Sequence, residues 1–288
     1  MPTLIQEKVN QSINILKEKD IDLWLTFVRE TSTSPDPVLP MIYGSDLTWL
    51  SALILTQSGD KIAIVGRFEA ETARRTGAFA EVILYDEAFS PVLLEVLGRL
   101  NPHKIAINTS LTDPVADGLT HGLYQVLTGY LKDTPFANRL VSADDLVGAL
   151  RGRKTPQEVE RIRKAVTTTG EIYAAPFDFI QPGMSEHQIA DFMHRQIKDR
   201  GLDSSWDWDH CPTVNAGPDS PIGHVGPTDI QIQPGQLLHF DFGVKENEYC
   251  SDIQRVVYFL APGETTPPEP VQRGFDTICR ALRTTPNA

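Results

Sequence analysis

The stretch QLLHFDFGVKENEYCSDIQRVVYF, residues 236–259, decides the fold because it alternates polar and apolar residues on both sides of a polar turn. In its first half, apolar residues at even positions alternate with His239 and Asp241; in its second half, Asp252 lies on the more polar face. A period of two residues is typical of β-strands. The pattern therefore predicts a β-hairpin, with a turn that we place at Glu246–Asn247.

In that register Asp241 lies directly opposite Asp252, with both side chains on the same face of the hairpin. Two opposed carboxylates repel each other. A shared proton, full exposure to solvent, or bound cations would each relieve the repulsion. Cations fit the surroundings well, because oxygen ligands at this spacing hold divalent metals. An exposed hairpin with acidic residues near its turn remains the alternative.

Upstream, strands alternate with helices, which predicts a layered α/β domain over residues 1–150. Its predicted elements are a helix with Leu4, Val9, Ile13 and Leu16 on one face, and strands at Ile21–Val28, on either side of the turn Gln57–Asp60, at Glu81–Asp86 and at Lys104–Ser110. The sequence of this domain has no phosphate-binding loop, nucleophile elbow or metal-ligand cluster. Its His103 and His121 are predicted to lie at the surface.

Two helix start signals open a second domain, residues 151–288. Thr155 before Pro156 is typical of a helix start, and the next helix is predicted between Ser185, as N-cap, and Gly201, as the stop. The second helix carries His187 and His194, which we expect to be solvated. Downstream, Trp206 and Trp208 could line a pocket or pack a loop, and Cys211 and Cys250 are predicted to be small core residues.

Composition bounds the function classes. The chain has 288 residues, a net charge of −12 and 41% hydrophobic residues. The charge argues against a nucleic-acid partner, and no apolar run is long enough for a membrane span. The three cysteines are far apart, as in proteins of a reducing compartment, so we expect a cytoplasmic location.

Three segments resemble the creatinase/prolidase/methionine-aminopeptidase family. DFGV and YCSDIQR resemble the first half of its metal-binding signature, residues 213–229 resemble the segment that carries a substrate-contacting histidine, and the two helices resemble those that open its catalytic domain. The resemblance implies that Asp241 and Asp252 are metal ligands and that His224 contacts substrate. Taken alone, His224 could be a turn residue. Gln254 stands where threonine is commoner in the family.

The implied fold is an α/β N-terminal domain of the creatinase N-terminal type, followed by a partial α+β "pita-bread" domain. The implied function is that of a metal-dependent peptidase of the Xaa-Pro dipeptidase or aminopeptidase type. The complete enzyme would be a homodimer that uses two divalent ions (manganese, cobalt or zinc) and takes Xaa-Pro peptides as substrates. The alternatives are a creatinase-like amidinohydrolase that works without metal and a non-catalytic binding module.

The family's remaining ligands, a histidine and two glutamates, lie after the position of Asp252. After that residue the chain has no histidine, and its only glutamates, Glu264 and Glu269, lie in the proline-rich stretch APGETTPPEP. Two carboxylates alone would bind a divalent ion weakly. We therefore expect a C-terminally truncated form of the enzyme, with weak or no metal binding and little hydrolase activity by itself.

Overall fold

The structure of the chain is a computed structural model that describes residues 3–221, 223 and 225–284, apart from the side chains of residues 176 and 178. The chain divides into two units, Met1–Gln157 and Glu158–Ala288. In the described part of the chain, no helix is both long enough and apolar enough to cross a membrane.

The first unit is built on a six-stranded mixed sheet with the strand order β4-β3-β2-β1-β5-β6. Its elements are α1 (Leu4–Lys19), β1 (Leu23–Val28), α2 (Leu39–Ile42), β2 (Ser51–Thr56), β3 (Lys61–Gly66), α3 (Ala70–Arg75), β4 (Glu81–Tyr85), α4 (Phe89–Leu100), β5 (Ile105–Ile107), α5 (His121–Leu131), β6 (Leu140–Ser142) and α6 (Asp144–Gly152). Strands β1, β2 and β3 pair antiparallel, and the outer pairs are parallel.

The sheet has a hydrophobic core on each face, so the unit has three layers. Trp24 of β1 packs among residues of α1, α2, α3 and α6, whereas its neighbour Leu25 packs among residues of α4 and α5. All six residues of β1 are buried, as expected for a central strand covered by helices on both sides. The predicted α/β class is thus observed in this unit, and His103 and His121 are exposed as predicted.

From residue 156 onward the chain is an α+β arrangement. Its elements are α7 (Pro156–Phe179), α8 (Glu186–Asp199), β7 (Asp203–Ser204), β8 (Thr213–Ala216), β9 (Leu237–Phe242), β10 (Val244–Glu246), β11 (Tyr249–Cys250), β12 (Ile253–Tyr258) and α9 (Glu269–Thr284). Two three-stranded sheets form, with the orders β11-β10-β7 and β12-β9-β8. The predicted helix starts are confirmed: α7 begins at Pro156, and Ser185 caps α8 in a capping box with Gln188.

Strand β9 gives one face to the core and the other to the candidate site. Its even-numbered side chains, Leu238, Phe240 and Phe242, are fully buried in a cluster with residues of α7 and α8. Tyr173 of α7 makes edge-to-face contacts with both phenylalanines, at ring-centroid distances of 5.9 and 5.6 Å, and its hydroxyl donates to the Ile253 carbonyl at 2.7 Å. Helix α7 therefore fixes β9 and β12 together from the core side.

The predicted register of the hairpin is wrong. The turn residues are Asn247 and Glu248, both with positive φ (51° and 67°), one position later than predicted. A two-residue turn with both residues in this region matches the right-handed twist of the strands. As a result Asp241 pairs with Gln254 rather than with Asp252.

The cysteines divide between core and surface. Cys211 is fully buried, as predicted, but Cys250 is exposed and the core prediction for it is wrong. Cys250 lies on β11, at the edge of the described sheet β11-β10-β7, and its Sγ lies 3.5 Å from the Ser205 carbonyl oxygen.

Candidate metal centre

Polar side chains gather on the face of the β12-β9-β8 sheet that points away from the core. The strand register places them in two adjacent rows. The first row contains Thr213, Asp241 and Gln254, and the second contains Asn215 and His239 beside the apolar Val256. Side chains within a row lie about 4.5–5.5 Å apart at Cβ, so polar atoms of neighbouring strands can meet.

Asp241 is half-buried at the centre of the first row. Its Oδ2 accepts a hydrogen bond from the Gln254 Nε2 at 3.1 Å. Its Oδ1 is buried and has no hydrogen-bond partner among the described residues. A carboxylate oxygen that is removed from water without a donor is costly, so this atom is suited to a cation.

Asp252 follows the break between β11 and β12, diagonally across from Asp241 in the observed register. Although the residue is exposed, partial desolvation of its carboxyl raises the pKa of Asp252 above the usual range. The charge of the nearby Asp241 raises this pKa further. The sequence-predicted pair is therefore brought together, but by a diagonal rather than a direct pairing.

Gly243 allows this close arrangement. A Cβ atom at this position would lie 1.9 Å from the Ser251 carbonyl oxygen and 2.6 Å from the Ser205 Oγ. The Ser205 Oγ donates to the same carbonyl at 2.6 Å, and the Ser251 Oγ accepts from the Val244 N–H at 3.0 Å. The backbone before Asp252 is thus held against β9 and β10 where only glycine fits.

The two carboxylates match the preferences of a divalent cation. They supply oxygen atoms, their mutual repulsion would be relieved by a bound positive charge, and one oxygen has no hydrogen-bond donor among the described residues. Within residues 3–221, 223 and 225–284, no group of three or more His, Cys, Asp or Glu side chains could hold a metal ion. The described residues therefore fit one part of a metal centre, made of Asp241 and Asp252.

His224 lies outside the described residues, but the base of its segment is held by a residue that sequence reasoning missed. Glu186, at the first position of α8, is almost fully buried. Its carboxylate accepts from the Ala216 N–H at 2.7 Å and from the Thr228 N–H and Oγ1 at 2.8 and 2.7 Å. In the sequence, a glutamate after a helix N-cap suggests only a favourable helix-dipole interaction, so this cross-link left no signal.

Both ring nitrogens of His239 face amide oxygens, and a neutral ring, which carries one N–H, donates to one of the two. Its Nδ1 lies 3.0 Å from the Asn215 Oδ1, and its Nε2 lies 3.4 Å from the Gln254 Oε1. Asn215 in turn donates from Nδ2 to the Ser220 Oγ and to the Pro221 carbonyl, both at 3.1 Å. The role of Asn215 was not predicted, because its partner His239 is 24 residues away in sequence.

His194 and the two tryptophans of this unit have structural contacts, whereas His187 does not pack in this way. His187 is exposed as predicted, whereas the prediction of a solvated His194 is wrong. The His194 ring stacks on Trp208 at 4.2 Å, and its Nε2 contacts the Cys211 carbonyl at 2.8 Å. Trp206 donates to the His210 carbonyl at 3.0 Å. These contacts favour loop packing over pocket lining for both tryptophans.

Comparison with known proteins places this site in a family context. Residues 160–285 match metallopeptidase family M24. The chain is 31% identical over 150 residues to an Xaa-Pro dipeptidase of Lactobacillus helveticus, an alignment that covers 51% of the chain and 39% of the relative. It is 26% identical over 233 residues to an uncharacterized peptidase of Staphylococcus saprophyticus, with 81% of the chain and 60% of the relative covered. The chain thus spans less than two thirds of the length of each of these relatives.

Solved structures share the fold. An Xaa-Pro dipeptidase from Bacillus anthracis superposes with a TM-score of 0.64 at 20% identity, over 93% of the chain and 68% of that protein. The prolidase from Pyrococcus horikoshii superposes with a TM-score of 0.62 at 20% identity, over 96% of the chain and 70% of that protein. At such identities the likeness establishes the fold, which is that of the pita-bread prolidases.

Proposed function

We propose that the chain contributes to a metal-dependent peptidase of the Xaa-Pro dipeptidase or aminopeptidase type, because residues 160–285 match metallopeptidase family M24 and the chain is similar to Xaa-Pro dipeptidases. Its own contribution is the aspartate part of a two-cation centre, Asp241 and Asp252. The observation that carries the proposal is the Asp241 Oδ1, a buried oxygen without a donor among the described residues, beside a second carboxyl. The substrate class follows the name of the Lactobacillus helveticus relative.

Each residue of the chain has a separate task in this proposal. Two divalent cations, when bound, would supply an activated water and polarise the scissile carbonyl. Asp241 and Asp252 would hold them, and Gln254 orients Asp241. His224, by the resemblance of its segment, would donate a hydrogen bond to the substrate carbonyl or to the tetrahedral intermediate. Glu186 holds the base of that segment by accepting from Ala216 and Thr228.

The metal site is tested on the chain itself by titration with Mn²⁺, with free Mn²⁺ followed by electron paramagnetic resonance. Asp241→Asn and Asp252→Asn should each abolish the binding that the unchanged chain has. Asp191→Asn, which changes an exposed aspartate of α8 in the same unit, is the matched control and should bind normally. Measurable Mn²⁺ binding of equal affinity in all four proteins would refute the site.

The peptidase assignment is tested on the protein immunopurified from its source with an antibody raised against the chain. Hydrolysis of an Xaa-Pro dipeptide should be lost with a chelator and regained with Mn²⁺. Activity that survives the chelator would instead favour a creatinase-like reaction without metal. The intact mass of the same sample, compared with 32.0 kDa, tests whether further ligands come from outside these 288 residues.

A non-catalytic binding module is the second candidate, favoured by the apolar face of α9. Phe275, Ile278 and Leu282 of this helix are 56%, 61% and 67% exposed. Their spacing puts them on one side of the helix, and exposed apolar faces of this kind often bind other protein surfaces. Immunopurified protein without peptidase activity, with a partner that is lost in Ile278→Asp, would support this alternative.

A further inference from the structure

Asp252 lies in a two-residue gap between strands. Strand β11 ends at Cys250 and β12 begins at Ile253, so the regular strand pairing is interrupted at Ser251 and Asp252. Paired backbone hydrogen bonds are what hold a strand in register, and Asp252 lies outside them. The carboxylate of Asp241, diagonally across, also repels an ionised Asp252. The position of Asp252 therefore depends on the contacts of its two neighbours in the chain.

Helix α7 contacts the residues on both sides of Asp252. The Thr169 Oγ1 lies 2.6 Å from the Ser251 Oγ, and the Tyr173 hydroxyl donates to the Ile253 carbonyl at 2.7 Å. Thr169 and Tyr173 are four residues apart, which puts them next to each other on one face of the helix. Thr169 is fully buried, and Tyr173 is 3% exposed. Two buried hydroxyls thus hold the residue before the aspartate and the residue after it.

The Ser251 hydroxyl transmits the first of these contacts to the hairpin. Its Oγ accepts from the Val244 N–H at 3.0 Å, where a regular ladder would supply a backbone carbonyl. A serine hydroxyl has one donor and two acceptor positions, so the Ser251 Oγ can accept from Val244 and from Thr169 together. The Ser251 carbonyl is turned toward the Ser205 Oγ, from which it accepts at 2.6 Å. The peptide group that leads into Asp252 therefore has a fixed direction.

The two α7 hydroxyls act on the position of the carboxylate without contacting it. We propose that Thr169 and Tyr173 are positioning residues for the proposed metal site, on which this inference rests. By holding the neighbours of Asp252, they keep its carboxylate beside that of Asp241, where both can bind cations. Without these hydroxyls, repulsion between the two carboxylates would move Asp252 outward, and cation binding would have to draw it back. Metal affinity should therefore fall when the hydroxyls are removed.

The inference is tested by Mn²⁺ titration of the chain, again with free Mn²⁺ followed by electron paramagnetic resonance. Thr169→Val and Tyr173→Phe each remove one hydroxyl and keep nearly the same side-chain shape. Each should weaken Mn²⁺ binding, and we expect the double variant to weaken it about 10-fold or more. Thr169→Ser, which keeps the hydroxyl, should bind Mn²⁺ as the unchanged chain does.

A purely structural role is separated by a matched control on the same helix. The Thr168 Oγ1 donates to the Glu246 Oε2 at 2.7 Å, so Thr168→Val removes a hydrogen bond from α7 to the same hairpin but not to a neighbour of Asp252. Both Thr168→Val and Thr169→Val should lower the metal-free unfolding midpoint. Only Thr169→Val should also reduce the rise in midpoint on adding Mn²⁺, because that rise follows the affinity.

A second measurement needs no bound metal. Asp241→Asn should raise the metal-free midpoint by relieving repulsion with Asp252, and this rise should be smaller in the Thr169→Val/Tyr173→Phe chain, where Asp252 can move outward. An equal rise in both backgrounds overturns the inference, as does Mn²⁺ binding of unchanged affinity in the double variant. If Asp241→Asn nevertheless lowers Mn²⁺ affinity, the proposed metal site stands without the inference. If Asp241→Asn binds Mn²⁺ with the affinity of the unchanged chain, the site and the inference both fail.

Discussion

Replacing Gly243 with alanine tests the geometry that brings Asp241 and Asp252 together. The new Cβ would lie 1.9 Å from the carbonyl oxygen of Ser251, a backbone atom. Regaining an ordinary contact requires a displacement of about 1–1.5 Å. Ser251 cannot move freely, since its N–H donates to the Val244 carbonyl at 3.1 Å and its Oγ lies 2.6 Å from the Thr169 Oγ1.

The cost follows from overpacking and from the hydrogen bonds that the displacement breaks. Inserting a methyl group into a packed site typically costs about 1–3 kcal/mol, and each backbone group left unpaired adds about 1–3 kcal/mol. We therefore expect Gly243→Ala to lower the free energy of unfolding by about 3 kcal/mol. Because Asp252 follows Ser251 directly, the same displacement should also weaken Mn²⁺ binding.

Urea unfolding measured by circular dichroism and tryptophan fluorescence checks this prediction. A loss of about 3 kcal/mol lowers the midpoint by about 1–2 M urea. Gly170→Ala is the matched control, because nothing lies within 4 Å of a Cβ at that position in α7. Alanine in a helix interior should stabilise by about 0.5–1 kcal/mol. An unchanged midpoint for Gly243→Ala would refute the close approach of Ser251.

Three further predictions concern buried or paired carboxyls. Glu186→Gln should lower the free energy of unfolding by about 1–3 kcal/mol, because an amide cannot accept all three hydrogen bonds; urea titration checks it, with the exposed Glu171→Gln as control. Burial raises the pKa of Asp36 in the folded chain. The protonated carboxyl therefore contributes stability that is complete below the unfolded-state pKa, about 4. This stability is lost as pH rises through the higher pKa of the folded state. The stability of the unchanged chain should therefore fall relative to Asp36→Asn over that range, and parallel curves would contradict this. Asp241→Asn should raise the metal-free midpoint by relieving about 0.5 kcal/mol of repulsion with Asp252; calorimetry without metal checks it, and a lower midpoint would count against repulsion.

The sequence predicted those strands and helices of the second unit in which polar and apolar residues alternate over several positions or a helix-capping pattern occurs. Strand β9 has three buried apolar side chains against two polar ones, and α8 has a capping box at its start. Strand β8, Thr213–Ala216, was not predicted, because four residues are too few to establish a period. Its status as a strand depends on pairing with β9, which no local pattern records.

The register error has a specific cause. Moving the turn by one residue changes every cross-strand partner by two positions, which keeps each side chain on its own face. The alternation of apolar and polar residues therefore does not distinguish two registers that differ by two positions, although it would distinguish registers that differ by one. The register is determined by the position of the turn. There Asn247 and Glu248 adopt left-handed conformations, and the turn contains no glycine that would have indicated them in the sequence.

The same limit applies to the site. The sequence paired the two aspartates because both lie within one hairpin and share a face under either register. The contacts of His239 with Gln254 and with Asn215 depend on which residues of adjacent strands are direct neighbours, and Asn215 lies 24 residues before His239 in the sequence. An alternating sequence pattern predicts which face of a sheet a side chain lies on. It does not predict which residues of the adjacent strands lie beside that side chain, and the hydrogen bonds depend on those neighbours.

Strand β9 shows how the chain separates stability from chemistry. Its even positions are fully buried against α7 and α8, so a truncation such as Phe240→Ala would cost about 3–5 kcal/mol. Its odd positions include His239 and Asp241, and the environment of Asp241 is unfavourable without a cation, because one of its oxygens is buried without a donor among the described residues and a like charge lies nearby. A residue that destabilises the fold slightly while its partners hold it in place is typical of a binding site. The period of two lets both kinds of residue alternate along one strand without conflict.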